Sequence, residues 1–318
     1  MRPDTRRGGA GFSLLEFTIA MALTMVVTTT VVTIVQPARG AIAAQPELAD
    51  MQQRLRVGVD TLARDLMAAG AGSYIAGHSG PLSDFFPPVM PFRYGPVGGD
   101  PPGTFRTDTI TMISVPPTTA QTMLNAALTS GSRTLHLAPA AGCPAGVNLC
   151  GFAPGMTALV FDRTGAFDLF SIATVEDAAS QMTVAAWPAG SSSAYNAGAA
   201  VVQADVHTYS WKRDAATNTF QLMHANGSAN AEAPVVDHVV GLAFEYFGDS
   251  LTPLTASDDL RRIHAVGVTL RVEAGLAALR GPAGALFSNG GTATSAHGWI
   301  PDEEIRFRVS PRNLSLNR

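Results

Sequence analysis

The amino-terminal part of the chain is a long apolar run that follows a short basic leader. Residues 12–35 contain no proline or glycine, and Glu16 is their only charged residue. At the rise of an α-helix these 24 residues would span about 36 Å, which is enough to cross the hydrocarbon core of a bilayer. Arg2, Arg6 and Arg7 precede the run. Because positive charge favours the cytoplasmic side, we expect the leader inside and the remaining chain outside.

A second periodic segment predicts an amphipathic helix over residues 46–70. Its apolar residues recur at steps of three and four, which places them on one helix face. They are Leu48, Met51, Leu55, Val59, Leu62 and Leu66. Pro46 suits a first helical turn, and Gly70 suits a helix end. Pro37 and Gly40 predict a bend or break between this helix and the apolar run.

The remainder of the chain predicts antiparallel β-structure, and thus an α+β fold. Short alternating or β-branched runs are separated by turn signals, with no regular exchange of strands and helices. The predicted strands are Thr107–Val115, Thr134–Leu137, Thr157–Phe161, Phe167–Val175, Met182–Ala186, Ala200–Tyr209, Thr219–Met223, Val239–Phe247, Ile263–Val272 and Glu304–Val309. Residues 70–103 are rich in glycine, proline and aromatic residues, which predicts a long ordered loop.

Composition and motifs indicate no catalytic or nucleic-acid-binding function. The net charge of −4 is mild and shows no basic patch. The sequence has no nucleophile elbow, phosphate-binding loop, His-Glu-x-x-His or Cys-x-x-Cys motif, so we predict no enzyme activity, no cofactor and no metal. Asp249, Asp258 and Asp259 flank a polar loop that offers oxygen ligands for calcium, but a solvated acidic turn is the favoured interpretation.

The two cysteines of the chain are Cys143 and Cys150, with a proline and a glycine between them. Outside the inner membrane such a pair is expected to be oxidised, which would close a short loop. The alternative is half of a metal site, but further cysteines or a nearby histidine are lacking. We therefore predict a disulfide that stabilises a loop.

The segment Gly11-Phe12-Ser13-Leu14-Leu15-Glu16 resembles the signal sequence of type IV prepilins and type II secretion pseudopilins. The resemblance implies peptidase cleavage between Gly11 and Phe12 and N-methylation of Phe12. It also implies that Glu16, at the fifth mature position, neutralises the amino terminus of a neighbouring subunit during assembly. A plain membrane anchor or a secretory signal is the alternative. A secretory signal would place its cleavage site after the apolar core, and either alternative leaves Glu16 unexplained.

Further segments resemble PilW-like minor pilins, which are related to J-type pseudopilins. They are Met51–Arg56, Leu62–Leu66, Val236–Tyr246 and Arg306–Leu314. The resemblance implies a pilin-like fold, in which a long spine helix, half transmembrane and half amphipathic, packs on an antiparallel sheet. The expected parts are a cleaved leader (1–11), an anchor helix (12–36), an amphipathic helix (46–70), a β domain (71–131 and 204–318) and an inserted β subdomain (132–203).

The function implied by this resemblance is that of a minor pilin, which helps to initiate or cap a type IV pilus. Its expected partners are other minor and major pilins, the prepilin peptidase, the inner-membrane assembly platform and a large tip adhesin, but no nucleic acid. We expect a single-pass protein of the bacterial inner membrane, with its carboxyl-terminal domain in the periplasm and then in the fibre. The alternatives are a J-type pseudopilin at a secretion tip and a membrane-tethered adhesin.

Overall fold

A computed structural model describes residues 13–95, 98–188, 190–191, 194–227, 232–280 and 300–314, and for residues 36–41, 43 and 76 it describes the backbone alone. The chain divides into two compact units, Met1–Asp50 and Met51–Arg318. An amino-terminal apolar helix is combined with a mostly antiparallel β domain, so the fold is α+β as predicted.

A single α-helix, α1 (Leu14–Ala68), includes both predicted helical segments. The backbone is helical through Pro37, Gly40 and Pro46, so the predicted break between the segments is wrong. A proline removes one N–H from the helical ladder and crowds the preceding turn, which disfavours a helix without excluding it. Residues 36–46 also contain four alanines, the residue type with the highest helix propensity. The helix therefore continues where the sequence signals favoured an interruption.

The part of α1 in the second unit buries one face. The buried residues, which continue one residue beyond the helix, are Met51, Leu55, Gly58, Leu62, Leu66 and Ala69. This face agrees with the predicted one except that Gly58 occupies the place expected for Val59, which is half-buried. The helix ends before Gly70, whose φ of 79° is a left-handed conformation that glycine adopts without strain.

Fourteen strands lie in the described residues. In chain order they are β1 (Val89–Met90), β2 (Thr109–Ser114), β3 (Gln121–Met123), β4 (Thr134–His136), β5 (Thr157–Phe161), β6 (Phe167–Glu176), β7 (Gln181–Val184), β8 (Ala200–Gln203), β9 (Asp205–Asp214), β10 (Thr219–Asn226), β11 (Glu232–Val236), β12 (Val239–Phe247), β13 (Ala265–Val272) and β14 (Glu303–Val309). Short 3-10 turns lie at Ala76–His78, Leu82–Asp84, Leu260–Arg262, Ala277–Leu279 and Arg312–Leu314.

These strands form three sheets with antiparallel neighbours. The first has the order β1-β2-β9-β10-β11, the second β12-β13-β14, and the third β3-β8-β5-β6-β7-β4. Hydrogen bonds from β12 join the first two sheets: the Phe244 N–H donates to Thr107 O (2.7 Å), and the Tyr246 hydroxyl donates to Thr109 O (3.2 Å).

The run Ala200–Tyr209, predicted as one strand, is divided between two sheets. It forms β8 in the six-stranded sheet and continues as β9 in the five-stranded sheet. The division falls at Ala204, whose N–H donates to Thr157 O (3.0 Å). A period of two shows that a residue points to one face or the other, but it does not show which sheet supplies the neighbours.

The six-stranded sheet is buried on both faces. Ala158 and Val160 contribute to one hydrophobic cluster, whereas Leu159 and Phe161 contribute to a second cluster on the opposite face. Residues of the five-stranded sheet also belong to the second cluster. The two sheets therefore share a core, and the inserted β subdomain expected over residues 132–203 stays a prediction.

Candidate functional site

Helix α1 begins with a reciprocal pair of hydrogen bonds between Ser13 and Glu16. The Ser13 N–H donates to Glu16 Oε2 (3.0 Å), and the Glu16 N–H donates to Ser13 Oγ (3.3 Å). This capping box supplies acceptors to two N–H groups that have no partner within the helix. The carboxylate also lies at the positive end of the helix dipole. Glu16 is thus held at the start of the helix, against the N–H group that follows residue 12.

The surface of α1 from Leu14 to Val35 is apolar on all sides. This 22-residue segment has a mean hydropathy of 2.1 and is long and apolar enough to cross a membrane. Its large apolar side chains are exposed, from Phe17 near the start to Ile34 near the end. A surface helix of a globular domain would be apolar along one face only, so the all-round pattern suits a hydrocarbon environment or a layer of similar helices.

The threonines of this segment do not make it polar. Each hydroxyl donates to a backbone carbonyl three or four residues earlier, at 2.7–2.9 Å. These residues are Thr18, Thr24, Thr28, Thr29, Thr30 and Thr33. Because these donors are satisfied within the helix, they do not require water. Glu16 is therefore the single charged group of an otherwise apolar segment.

The predicted cleavage and methylation site, Gly11 and Phe12, lies outside the described residues, as does the predicted leader 1–11. Cleavage after Gly11 and methylation of Phe12 stay predictions. The docking role of Glu16 is also a prediction, but the structure adds the capping contact with Ser13, which the sequence interpretation did not include.

A disulfide joins Cys143 and Cys150, with the Cα atoms 5.5 Å apart. The loop that it closes is anchored by Asp177, whose Oδ1 accepts the Asn148 N–H (3.0 Å) and the Leu149 N–H (2.7 Å). The Leu149 side chain is buried in the core of the six-stranded sheet. The loop therefore covers one end of that core, which fits a structural role for the disulfide.

Of the acidic residues weighed for calcium binding, Asp258 and Asp259 are used within their own turn, whereas Asp249 Oδ1 lies 3.9 Å from His264 Nε2. Asp258 Oδ2 accepts the Thr255 N–H (2.7 Å) and hydroxyl (2.8 Å), and these hydrogen bonds lower the pKa of the Asp258 carboxyl. Asp259 Oδ1 accepts the Arg261 N–H (3.0 Å) and its carboxylate pairs with the guanidinium of the same residue. These contacts favour the acidic turn over the calcium site.

A set of buried charges supports the end of the three-stranded sheet. Arg271 pairs with Asp302, and Arg280 Nη1 lies 3.2 Å from Glu273 Oε1. Arg280 Nε also donates to Ala274 O (2.6 Å). Burial raises the pKa of Asp302, although the Arg271 charge opposes this effect. Since these charges compensate one another and bind the backbone, their role is structural.

One polar cluster was missed by the sequence interpretation. Asp65 on α1, His207 on β9 and His224 on β10 bring their side-chain oxygen and nitrogen atoms within 4.8 Å of one another. No metal-ligand spacing marks them, because 142 residues separate the helix residue from the first histidine. The local signal in the sequence is that His207 and Tyr209 lie two residues apart on a strand, and therefore on the same face.

No protein-family model matches this chain, and no curated protein matches its sequence. Among solved structures, the chain is similar to a type IV-like pilin from Thermus thermophilus, with 12% sequence identity and a TM-score of 0.19. The similarity covers 51% of this chain and 87% of that pilin. A TM-score of this size does not establish a common fold.

Proposed function

We propose that this chain is a minor pilin, a structural subunit that is processed at Gly11–Phe12 and then helps to initiate or cap a type IV pilus. The observation that carries the proposal is the start of α1. A segment that is apolar on every side bears one carboxylate, Glu16, and this carboxylate is held at the helix start. A capping contact alone does not require a charged group, and a charge in hydrocarbon is costly, so a partner cation explains this carboxylate better than an ordinary membrane anchor does.

The physical role proposed for Glu16 is to pair with the methylated ammonium group of Phe12 on a neighbouring subunit. Both groups would lie at the start of their helices, so two parallel helices that differ by a short axial shift bring opposite charges together. In a low-dielectric layer this attraction is far stronger than in water. The partners are therefore other minor and major pilins, reached through the apolar helix in the inner membrane.

The second unit fits a subunit found at a fibre tip. With 268 residues from Met51 to Arg318, it carries three sheets on a single helix. A subunit repeated throughout a fibre must pack against copies on all sides, whereas a tip subunit has one free end. We infer that the large β domain stands in the periplasm before assembly and at the cell surface afterwards, where it can contact a tip adhesin.

The first experiment is mass spectrometry of the protein purified from a host that has a prepilin peptidase. We expect methylated Phe12 as the first residue, because a small, flexible residue at position 11 would let the peptidase reach the bond at the membrane face. The Gly11→Val variant is expected to keep Met1 as its first residue. An intact Met1 start in the wild type, or a start near Ala44, contradicts the proposal.

The second experiment separates the charge of Glu16 from its capping contact. Glu16→Gln keeps an oxygen that can accept the Ser13 N–H but lacks the charge, whereas Ser13→Ala removes the hydroxyl and keeps the carboxylate. Loss of such a cap costs about 0.5–2 kcal/mol of helix stability. We expect Ser13→Ala to co-purify with other pilins as the wild type does, and Glu16→Gln to be processed and inserted but absent from fibres. Normal incorporation of Glu16→Gln would show that the carboxylate is not the docking group.

A further inference from the structure

Asp65, His207 and His224 converge on one point between α1 and the five-stranded sheet. The cross-strand register pairs His224 with Tyr209 and leaves His207 on the same face two residues earlier. The Asp65 carboxylate enters this point from the helix: its Oδ2 lies 3.2 Å from His207 Nδ1 and 3.9 Å from His224 Nε2. The two nitrogens lie 2.9 Å apart.

These three distances define a triangle whose size suits a metal ion. The point equidistant from the three atoms lies about 2.0 Å from each, which equals the Zn–N and Zn–O bond lengths found in proteins. At that point the Asp65 and His224 atoms, 3.9 Å apart, lie nearly opposite each other. Tetrahedral ligands at these bond lengths lie about 3.3 Å apart, so a shift of about 0.6 Å by one side chain would complete the geometry and open a fourth direction. We propose that Asp65, His207 and His224 bind a divalent transition-metal ion, for which zinc is the first candidate.

Tyr209 supports the carboxylate of this site. Its hydroxyl donates to Asp65 Oδ2 at 2.5 Å, and its ring stacks on His224 with the centroids 4.6 Å apart. Metal-binding carboxylates and histidines are commonly oriented by such a second contact. Tyr209 is therefore a positioning residue and not a ligand.

The side chains are sheltered but reachable. Asp65 is 13% exposed, and each histidine is 22% exposed. The side chains are therefore partly accessible to solvent, so an ion can reach them without unfolding of the sheet. Histidine nitrogen with carboxylate oxygen suits zinc, copper or nickel better than calcium or magnesium, which prefer oxygen ligands alone.

The alternative is a hydrogen-bonded network without a metal. If His207 Nδ1 then carries the proton, His224 Nε2 and Asp65 Oδ2 share one donor. If His224 Nε2 carries it, His207 Nδ1 faces the Asp65 carboxylate without a proton. In the metal site the three ligand atoms carry no proton, and each of them binds the same metal ion. A bound ion would tie α1 to β9 and β10, independently of any role in a pilus.

The test uses the full chain without a polyhistidine tag, purified in mild detergent, stripped with a chelator and titrated with ZnCl2. We expect one zinc per chain by mass spectrometry of the desalted protein. Competition with a chromophoric chelator should show that Asp65→Asn, His207→Gln and His224→Gln each weaken zinc binding by more than about 100-fold, since even a supporting contact is worth 10–100-fold. Tyr209→Phe should fall within that smaller range. His136→Gln, at an exposed position on β4, is the matched control and should bind as the wild type does.

Two outcomes would overturn the site. One is a wild-type chain that retains less than one zinc per molecule after desalting. The other is a set of folded ligand variants that bind zinc as tightly as the wild type. If a variant fails to fold by circular dichroism, Co²⁺ added to the wild type decides instead. A four-coordinate site gives intense visible absorption that Zn²⁺ abolishes, and no such absorption appears without the site.

Discussion

Gly58 lies on the buried face of helix α1, where the helix packs closely against the β-sheets of the second unit. A Cβ atom added there would lie 2.6 Å from Leu270 Cδ2 and 3.2 Å from Val236 Cγ2. At an ordinary helix position, replacing glycine with alanine stabilises a protein by about 1 kcal/mol. At Gly58 the same change inserts a methyl group into space that two side chains occupy.

The sign of the Gly58→Ala change depends on which of these two effects is larger. Forcing an additional methyl group into a packed core typically costs about 1–3 kcal/mol. The Leu270 methyl is the end of a flexible side chain and can move, but an off-rotamer side chain itself costs about 0.5–1.5 kcal/mol. Subtracting the helix propensity gain leaves a net loss of about 1 kcal/mol for Gly58→Ala. Gly58→Leu, which adds three more carbons, should prevent folding or cost several times more.

The measurement is urea unfolding of the full chain in mild detergent, followed by tryptophan fluorescence, since all three tryptophans lie in the second unit. Gln53→Gly and Gln53→Ala, at an exposed position of the same helix, measure the propensity difference without the packing effect. In a Leu270→Ala background, Gly58→Ala should become neutral or stabilising, with a coupling free energy of about 1–2 kcal/mol. If Gly58→Ala stabilises the wild-type background as much as the Gln53 pair predicts, the helix does not pack on Leu270 and the reasoning is refuted.

Two further predictions concern the loop disulfide and one histidine. Replacing Cys143 and Cys150 by serine should lower the free energy of unfolding by about 2–3 kcal/mol, yet leave the chain folded, because the loop is short; free thiols in a non-reducing peptide map of periplasmic protein would contradict the bond. Burial and the Arg163 charge lower the pKa of His78 below its usual 6.5, so the unfolded chain binds this proton more readily. The contribution of neutral His78 to the free energy of unfolding is full above pH 6.5. It is lost as the pH falls below 6.5 and through the lower pKa of the folded state. The melting temperature should therefore fall on acidification, and by less in His78→Phe; equal falls in the two proteins would exclude this role.

The sequence pattern was sufficient to predict the elements whose formation depends on residues close together in the chain. The apolar run and the amphipathic helix follow from helical spacing, which a contiguous sequence displays directly. Strands β5 and β12 have the predicted bounds, Thr157–Phe161 and Val239–Phe247. By contrast, β1, β3 and β11 were not predicted. All three lie at sheet edges, where a single neighbour holds the strand and the side-chain pattern is correspondingly weak.

The candidate site at the helix start is also local. Gly11, Phe12 and Glu16 belong to one short motif, and the capping contact between Ser13 and Glu16 follows from a spacing of three residues. That spacing is visible in the sequence, so the contact could have been predicted. Whether a neighbour's amino terminus reaches Glu16 depends on another chain.

The sequence by itself determined that this protein has an apolar helix with one carboxylate, an amphipathic continuation and a strand-rich remainder, because these depend on periodicity and residue type. Only the tertiary structure decided that Gly58 faces the sheets, that Ala204 divides one apolar run between two sheets, and that Asp65 meets His207 and His224. These facts depend on how separate elements pack against one another. Periodicity shows which residues share one face of a helix or strand. It does not show which other element packs against that face.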